Sequence, residues 1–188
     1  ITFNIFKVKI YVGGENMAEV FYYDYVTIKP WTYFLTASRF GLTYVGLKGD
    51  KSVSPIFSFY PHRMLVHDPK KLAPYIEQLK EYFAGTRKKF DVPIDISEFG
   101  TEFQRKTLQV VQNLPYGFTA SYGDIATSLP NATSARAVAH AVALNPVLIF
   151  IPDHRVILSN NQVGTYRLGQ KEKVRLIDLE KSHMHGNL

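Results

Sequence analysis

The first third of the chain has the residue pattern of β-strands. Runs dense in aromatic and β-branched residues are separated by Gly, Asn, Asp or Pro. These runs cover 6–12, 20–28, 33–47 and 54–60, and Ser38 to Gly41 has the composition of a hairpin turn. The pattern predicts a β-rich region up to about residue 66.

Helical periodicity begins after Asp68 and Pro69, which form a helix start signal. Apolar residues at the i, i+4, i+7 and i+11 positions predict an amphipathic helix that ends before Gly85; they are Leu72, Ile76, Leu79 and Phe83. A polar, proline-containing connector follows. We therefore expect a domain boundary near Glu98, with an N-terminal domain over 1–97 and a C-terminal domain over 98–188.

The second half of the chain is mostly helical in pattern. We expect helices over 103–114, 122–129, 134–144 and 171–182, several of them closed by Pro or Gly. The apolar run at 147–151 suits a buried strand or extended segment. The fold class predicted is α/β, with a β-sheet-rich N-terminal domain and a mostly helical C-terminal domain.

The amino-acid composition excludes several kinds of site and several classes of protein. A hydrophobic fraction of 46% is enough for a packed core, and the absence of cysteine excludes disulfides, thiolate metal ligands and a thiol nucleophile. No apolar run reaches the roughly 18 residues of a membrane span, and the first ten residues carry charges unlike a signal peptide. We expect an intracellular protein of cytoplasm or nucleus, with a truncated or non-native start at Ile1.

The net charge of +6 permits a polyanionic partner but does not identify one. Residues 1–97 carry 13 basic against 9 acidic side chains, and residues 98–188 carry 9 against 7. Because this excess is diffuse, nucleic-acid binding has to be argued from particular residues.

Two short helices around the turn "PNAT" have the spacing of a helix-turn-helix, with Ser134 as an N-cap for the second. The second helix is thin because it carries five alanines: Ala135, Ala137, Ala139, Ala141 and Ala143. A thin helix suits close approach to another surface, and it equally suits tight internal packing. Arg136 on this helix could reach phosphates or bases, or it could simply be solvated.

A set of motifs in the second half resembles one family. The stretch from Tyr82 to Ala126, "SARAVAHAVALNP", "IPDHRV" and "VGTYRLGQKEKVRLIDLE" occur in the order and spacing of O6-alkylguanine-DNA alkyltransferases (methylated-DNA-protein cysteine methyltransferases). The resemblance covers roughly residues 80–180, whereas residues 1–66 match only in general β-rich character. It implies a ribonuclease-H-like N-terminal domain and a winged-helix-like helix-turn-helix.

The resemblance also implies a function, in which a flipped, alkylated guanine gives its alkyl group irreversibly to the cysteine of a Pro-Cys-His-Arg-Val motif. Here the motif reads Pro152-Asp153-His154-Arg155-Val156, so the acceptor position holds Asp153. The implied partners are double-stranded DNA containing O6-alkylguanine and repair-pathway proteins. No cofactor and no metal are implied, and histidines 62, 67, 183 and 185 lack a metal-binding spacing.

Family roles carry over to matching positions. The resemblance assigns DNA binding to the helix-turn-helix, with Tyr122 assisting nucleotide rotation, Arg136 filling the gap in the duplex, and Ser134 and Ala135 beside it. It assigns the substrate pocket to Pro152, Val163, Gly164, Tyr166 and Arg167, while Leu168 stands where many bacterial members have Trp and others Gly. It assigns the catalytic apparatus to Asp153, His154, Glu180 and the hinge residue Asn145.

An imidazole oriented by a carboxylate is the usual base that activates a thiol, and His154 with Glu180 matches that pair. Since no thiol is present, we favour a scaffold role for the pair. Arg155 matches the structural arginine that follows the motif histidine.

Three interpretations of Asp153 remain open. In the first, which we favour, the aspartate abolishes alkyl transfer and the protein only binds damaged DNA, similar to the alkyltransferase-like proteins. In the second, the carboxylate accepts the alkyl group as an ester that water hydrolyses; repulsion by the guanine oxygen lone pairs argues against this. In the third, Asp153 is an engineered inactivation of a methyltransferase. A protein that lost DNA binding is disfavoured by Tyr122 and Arg136.

Overall fold

The computed structural model describes residues 19–48, 54–130 and 134–184. The strand predicted over 6–12 lies outside these ranges. Within them, no helix has the length and apolarity needed to cross a membrane, and no group of three or more potential metal-ligating side chains gathers.

A four-stranded sheet forms the N-terminal part. Its strands are β1 (Val20–Ile28), β2 (Trp31–Ala37), β3 (Leu42–Leu47) and β4 (Met64–His67), in the order β3-β2-β1-β4. The β1–β2 and β2–β3 pairs are antiparallel and β1–β4 is parallel. The predicted hairpin turn is confirmed, since the Ser38 amide donates to the Gly41 carbonyl at 2.9 Å.

The run at 54–60 forms a helix, α1 (Ser54–Phe59), so the strand predicted there is wrong. Ile56 and Tyr60 are both buried, and the Tyr60 amide donates to the Ile56 carbonyl at 2.8 Å. The Phe59 ring packs between Tyr44 and Phe99. Aromatic residues favour strands only when the surroundings offer a sheet partner, and here packing against the sheet and the connector decides.

The helix predicted after Asp68 is confirmed as α2 (Pro69–Phe83), with the Asp68 carboxylate accepting from the Lys71 amide at 3.1 Å. The residues it buries are Leu72, Tyr75, Leu79 and Tyr82, while Ile76 and Phe83 are only partly buried. The buried face of α2 therefore differs from the predicted face, because it includes Tyr75 and Tyr82 in place of Ile76 and Phe83. As a result, the Tyr82 side chain points towards the second half of the chain.

The C-terminal part is mainly helical, as predicted. Its elements are α3 (Glu102–Gln112), β5 (Ala120–Ser121), α4 (Tyr122–Thr127), α5 (Ala135–Ala143), β6 (Val156–Ile157) and α6 (Gln170–Ser182). Capping boxes begin α3 and α4, and the Ser134 hydroxyl caps α5 by accepting from the Ala137 amide at 3.1 Å. Helix α5 packs against both α3 and α4.

The apolar segment 147–151 connects the sheet to the motif that follows it. It is fully buried and extended only in part: Val147 bridges Val45 of β3, and a turn follows at Ile149, whose φ is 73°. Positive φ is costly for a β-branched residue. The surrounding core therefore forces a sharp change of direction just before Asp153, which begins a short 3-10 helix (Asp153–Arg155).

Candidate functional site

A cleft of about 650 Å³ opens between α4, α5, the start of α6 and the loop after β6. We call it the central cleft. Its lining includes seven residues to which the sequence assigned a role: Tyr122, Ala135, Arg136, Asp153, Gly164, Tyr166 and Arg167. The structure thus brings residues that are distant in sequence to one cavity.

Asp153 is the buried acid of the central cleft, with 5% of its surface exposed. Its amide donates to the Ile151 carbonyl at 2.8 Å, and its Oδ1 is buried without a hydrogen-bond partner among the described residues. Burial raises the pKa of Asp153 to about 7, against the lowering effect of the Arg167 and Lys173 charges and a hydrogen bond from Asn145.

His154 and Glu180 form the buried pair that the resemblance implied. The His154 Nε2 lies 2.7 Å from Glu180 Oε1, and both residues are inaccessible to solvent or nearly so. Arg155 donates to both oxygens of Glu180 through Nε and Nη2, with shortest distances of 2.9 Å, and through Nη1 to the Leu114 carbonyl. The Gly117 amide donates to Glu180 Oε2 at 2.8 Å. Glu180 is saturated with donors.

These contacts set the charges of the pair. Burial by itself would raise the pKa of Glu180, but the hydrogen bonds from His154 and Arg155 and the positive charge of Arg155 outweigh it and lower the pKa to about 2. Burial lowers the pKa of His154, which favours a neutral imidazole that donates from Nε2 to Glu180. Its Nδ1 is then the unprotonated nitrogen, and it is buried without a partner in the described structure.

Asn145 holds the turn between α5 and the motif. Its amide donates to the Ile151 carbonyl at 2.9 Å, and its side-chain oxygen accepts from the Val147 amide at 3.0 Å. Both bonds are buried, so one side chain fixes the two ends of the 147–151 segment. This arrangement fits the hinge position assigned by resemblance.

Helix α5 forms one wall of the central cleft with its thin side. Ala139, Val142 and Ala143 line the cleft beside Ala135 and Arg136, and Arg136 is exposed. Tyr122, the first residue of α4, faces the same space and is half-buried. A cationic side chain at the exposed edge and small residues along the wall leave room for a flat ligand.

The loop after β6 supplies the opposite wall through Gly164, Tyr166 and Arg167. Arg167 also reaches the sheet, because its Nη2 donates to the Val45 carbonyl at 2.8 Å. Two predicted pocket residues, Val163 and Pro152, are not among the residues that line the central cleft. The Val163 carbonyl accepts from Gln170 at 2.7 Å, and Pro152 lines a second cavity of about 350 Å³ next to the connector.

Sequence reasoning missed two residues of the site. Lys173 of α6 is 1% exposed, lines the central cleft, and has its pKa lowered by burial, against the raising effect of the Asp153 charge. Tyr82 of α2 donates to Glu180 Oε1 at 2.7 Å and lies 3.3 Å from His154 Nε2. The sequence around Lys173 is rich in charged residues, so nothing in it indicates that this lysine is buried. Tyr82 is one of several aromatic residues near the end of α2, so nothing in the sequence distinguishes it from the others.

Two domain models of one protein family match this chain. A domain described as "6-O-methylguanine DNA methyltransferase, ribonuclease-like domain" matches residues 22–96. A second, described as "6-O-methylguanine DNA methyltransferase, DNA binding domain", matches residues 102–182. The inducible methylated-DNA–protein-cysteine methyltransferase of Bacillus subtilis is 36% identical over 171 residues, covering 89% of this chain and 94% of the relative.

Solved structures give the same result. The Mycobacterium tuberculosis O6-methylguanine methyltransferase superposes with a TM-score of 0.76 at 31% identity, covering 89% of this chain and 96% of that one. The Mycobacterium tuberculosis OGT in complex with DNA superposes with a TM-score of 0.73 at 31% identity, covering 87% and 94%.

The family matches over both the sheet part and the helical part place this fold and its cleft in the class of DNA repair alkyltransferases. This chain belongs to the O6-methylguanine-DNA methyltransferase family. The relatives are named for transfer of a methyl group to a protein cysteine, and this chain contains no cysteine.

Proposed function

We propose that this protein recognises duplex DNA carrying O6-alkylguanine, docks α5 on the duplex, takes the flipped base into the central cleft, and transfers no alkyl group to cysteine. The observation that carries this proposal is the position of Asp153, buried in the cleft where the resemblance places the acceptor. The protein would bind damaged DNA without repairing it, for hand-over to repair-pathway proteins inside the cell.

The shape of the cleft supports base flipping. Arg136 lies at its exposed edge, where a guanidinium can contact phosphates or occupy the space of a displaced nucleotide. A cavity of about 650 Å³ is large enough for a nucleobase. Flipping costs a few kcal/mol and costs least at a damaged pair, which gives a preference for the lesion.

The chemistry of the site supports the absence of transfer. Nucleophilic catalysis by a thiolate needs a thiol, and none exists in the 188 residues. A carboxyl whose pKa is raised to about 7 is partly neutral near neutral pH, and a neutral acid is a poor nucleophile.

The preserved base favours a second candidate, a methyltransferase inactivated only at residue 153. His154 keeps its bond to Glu180, and its Nδ1 is buried without a hydrogen-bond partner in the described structure. On this view Asp153→Cys restores stoichiometric methyl transfer because the thiol meets an intact base. Asp153→Ser serves as the matched control, since a hydroxyl is a far weaker nucleophile than a thiol.

The test is incubation with a duplex carrying radiolabelled O6-methylguanine, together with a binding measurement on damaged and undamaged duplexes at one stated salt concentration. We expect tighter binding to the damaged duplex and no label on the protein. A stoichiometric labelled peptide containing Asp153 would contradict the proposal, and so would equal affinity for both duplexes.

A further inference from the structure

The residues lining the central cleft include three with a buried polar atom that lacks a hydrogen-bond partner, and a fourth that is a buried cation. Asp153 Oδ1, the Tyr166 hydroxyl and Arg167 Nη1 are buried without hydrogen-bond partners in the described structure, and Lys173 is a buried cation. A buried polar atom without a partner destabilises the folded protein, and a ligand that supplies the partner removes that cost. Such groups at one cavity indicate that a polar ligand completes it.

An O6-alkylated guanine presents an unusual edge to this cleft. Alkylation at O6 removes the hydrogen from N1, so O6 and N1 both become acceptors without a donor between them. An ionised carboxylate is also only an acceptor. A carboxylate facing that edge would leave its own oxygens unpaired and repel the lone pairs of the base.

A carboxylic acid behaves differently, because its O–H donates a hydrogen bond. We propose that Asp153 recognises the alkylated base as a neutral acid and donates a hydrogen bond to its O6 or N1 atom. This inference rests on the proposed function and adds the chemical basis of lesion selection. Asp153 is then a specificity-determining residue at the position where a transferase carries its nucleophile.

The surroundings of Asp153 suit a neutral acid. Tyr122 of α4 and Tyr166 of the loop face it as phenols, whose pKa values burial raises above the ordinary value. Arg167 from the loop and Lys173 from α6 are the cations that favour its ionised form, and the Asn145 amide adds a hydrogen bond. Burial outweighs these three, so the neutral acid is abundant near neutral pH.

Binding of the lesion is therefore linked to a proton. Below the pKa of about 7 the carboxyl is already neutral in the free protein, and affinity is constant. Above it the carboxyl must first take up a proton, so affinity falls by about tenfold for each further pH unit. Between about pH 6 and about pH 8 we expect the preference for damaged over undamaged duplex to fall by about tenfold.

Two variants of the full chain test the assignment. Asp153→Asn supplies an amide that donates at every pH, so its preference for the damaged duplex should not change with pH. Lys173→Met removes a charge that favours the ionised carboxyl, so the midpoint of the pH dependence should move upward. The ratio of damaged to undamaged affinity cancels pH effects on general DNA binding.

Calorimetry of the unmodified protein gives a measurement that needs no variant. Titrations at about pH 8 in buffers of different ionisation enthalpy should show uptake of close to one proton more for damaged than for undamaged duplex. A damaged-duplex preference that is constant across pH, or equal proton uptake for both duplexes, would overturn this inference and leave the proposed function intact. No preference at any pH would overturn both.

Discussion

Glu180 Oε1 and His154 Nε2 lie 2.7 Å apart in a part of the molecule closed to solvent. Arg155, Tyr82 and the Gly117 amide all donate to the same carboxylate. One glutamate therefore ties the motif after the 147–151 segment to α2, to α6 and to the loop after α3. The pair is a structural centre even in a chain without a thiol to activate.

Replacing Glu180 should destabilise the protein strongly. Glu180→Gln leaves the Arg155 charge buried without its counter-charge, and breaking a buried pair in this way costs about 3–5 kcal/mol. Denaturant unfolding at neutral pH measures the loss. Glu77→Gln on the exposed side of α2 is the matched control and should leave unfolding unchanged. A Glu180→Gln protein as stable as the control would contradict the structural role.

Glu180 also predicts the behaviour in acid. Its pKa is lowered from 4.5 to about 2, so its contribution to the free energy of unfolding is complete above about pH 4.5 and is lost as the pH falls towards 2. The shift corresponds to about 3 kcal/mol. The stability difference between the unmodified protein and Glu180→Gln should shrink over this window, and urea titrations at successive pH values will measure it. A constant difference would show that Glu180 does not titrate as described.

The pKa shift of Asp153 is opposite in sign to that of Glu180, and so is its effect on stability. Its pKa is raised from 3.8 to about 7, so the folded protein holds this proton more tightly and stability falls as the pH rises through that range. Asp153→Asn carries no such penalty and should become more stable than the unmodified protein as pH rises, by about 4 kcal/mol at pH 8. Thermal unfolding at several pH values tests this. Asp178→Asn, the same substitution at an exposed position of α6, is the matched control.

Local signals were enough to predict most helices. Asp68 caps α2 and Ser134 caps α5 as expected, because a cap depends on three or four neighbouring residues. The aromatic run at 54–60 was predicted wrongly, because tertiary packing decides its conformation. The domain boundary near Glu98 stays a prediction.

The sequence predicted only those residues of the site that lie within the family motifs. The family resemblance led to His154 and Glu180, which residue types alone would not have paired across 26 positions. Tyr82 and Lys173 escaped because their roles depend on how α2 and α6 pack against the motif. The raised pKa of Asp153 could not be predicted either, since it depends on how far the folded chain buries that carboxyl.

Arg136 provides the sharpest test of DNA docking. It is exposed at the edge of the central cleft, on the helix whose alanines line the wall. On the proposed function, this arginine contacts phosphate or fills the gap left by a flipped base, so Arg136→Ala should weaken binding to a damaged duplex by about tenfold or more. Fluorescence anisotropy at fixed salt measures the change.

Lys70→Ala is the matched control for Arg136→Ala. Lys70 is also exposed, but it lies on α2, which packs on β1 and β2. If general charge attraction held the duplex, both substitutions would weaken binding alike, since each removes one positive charge. Docking through α5 predicts a large effect for Arg136 and a small one for Lys70. Equal effects would mean that α5 is not the docking element, and the base could not then reach Asp153 by this route.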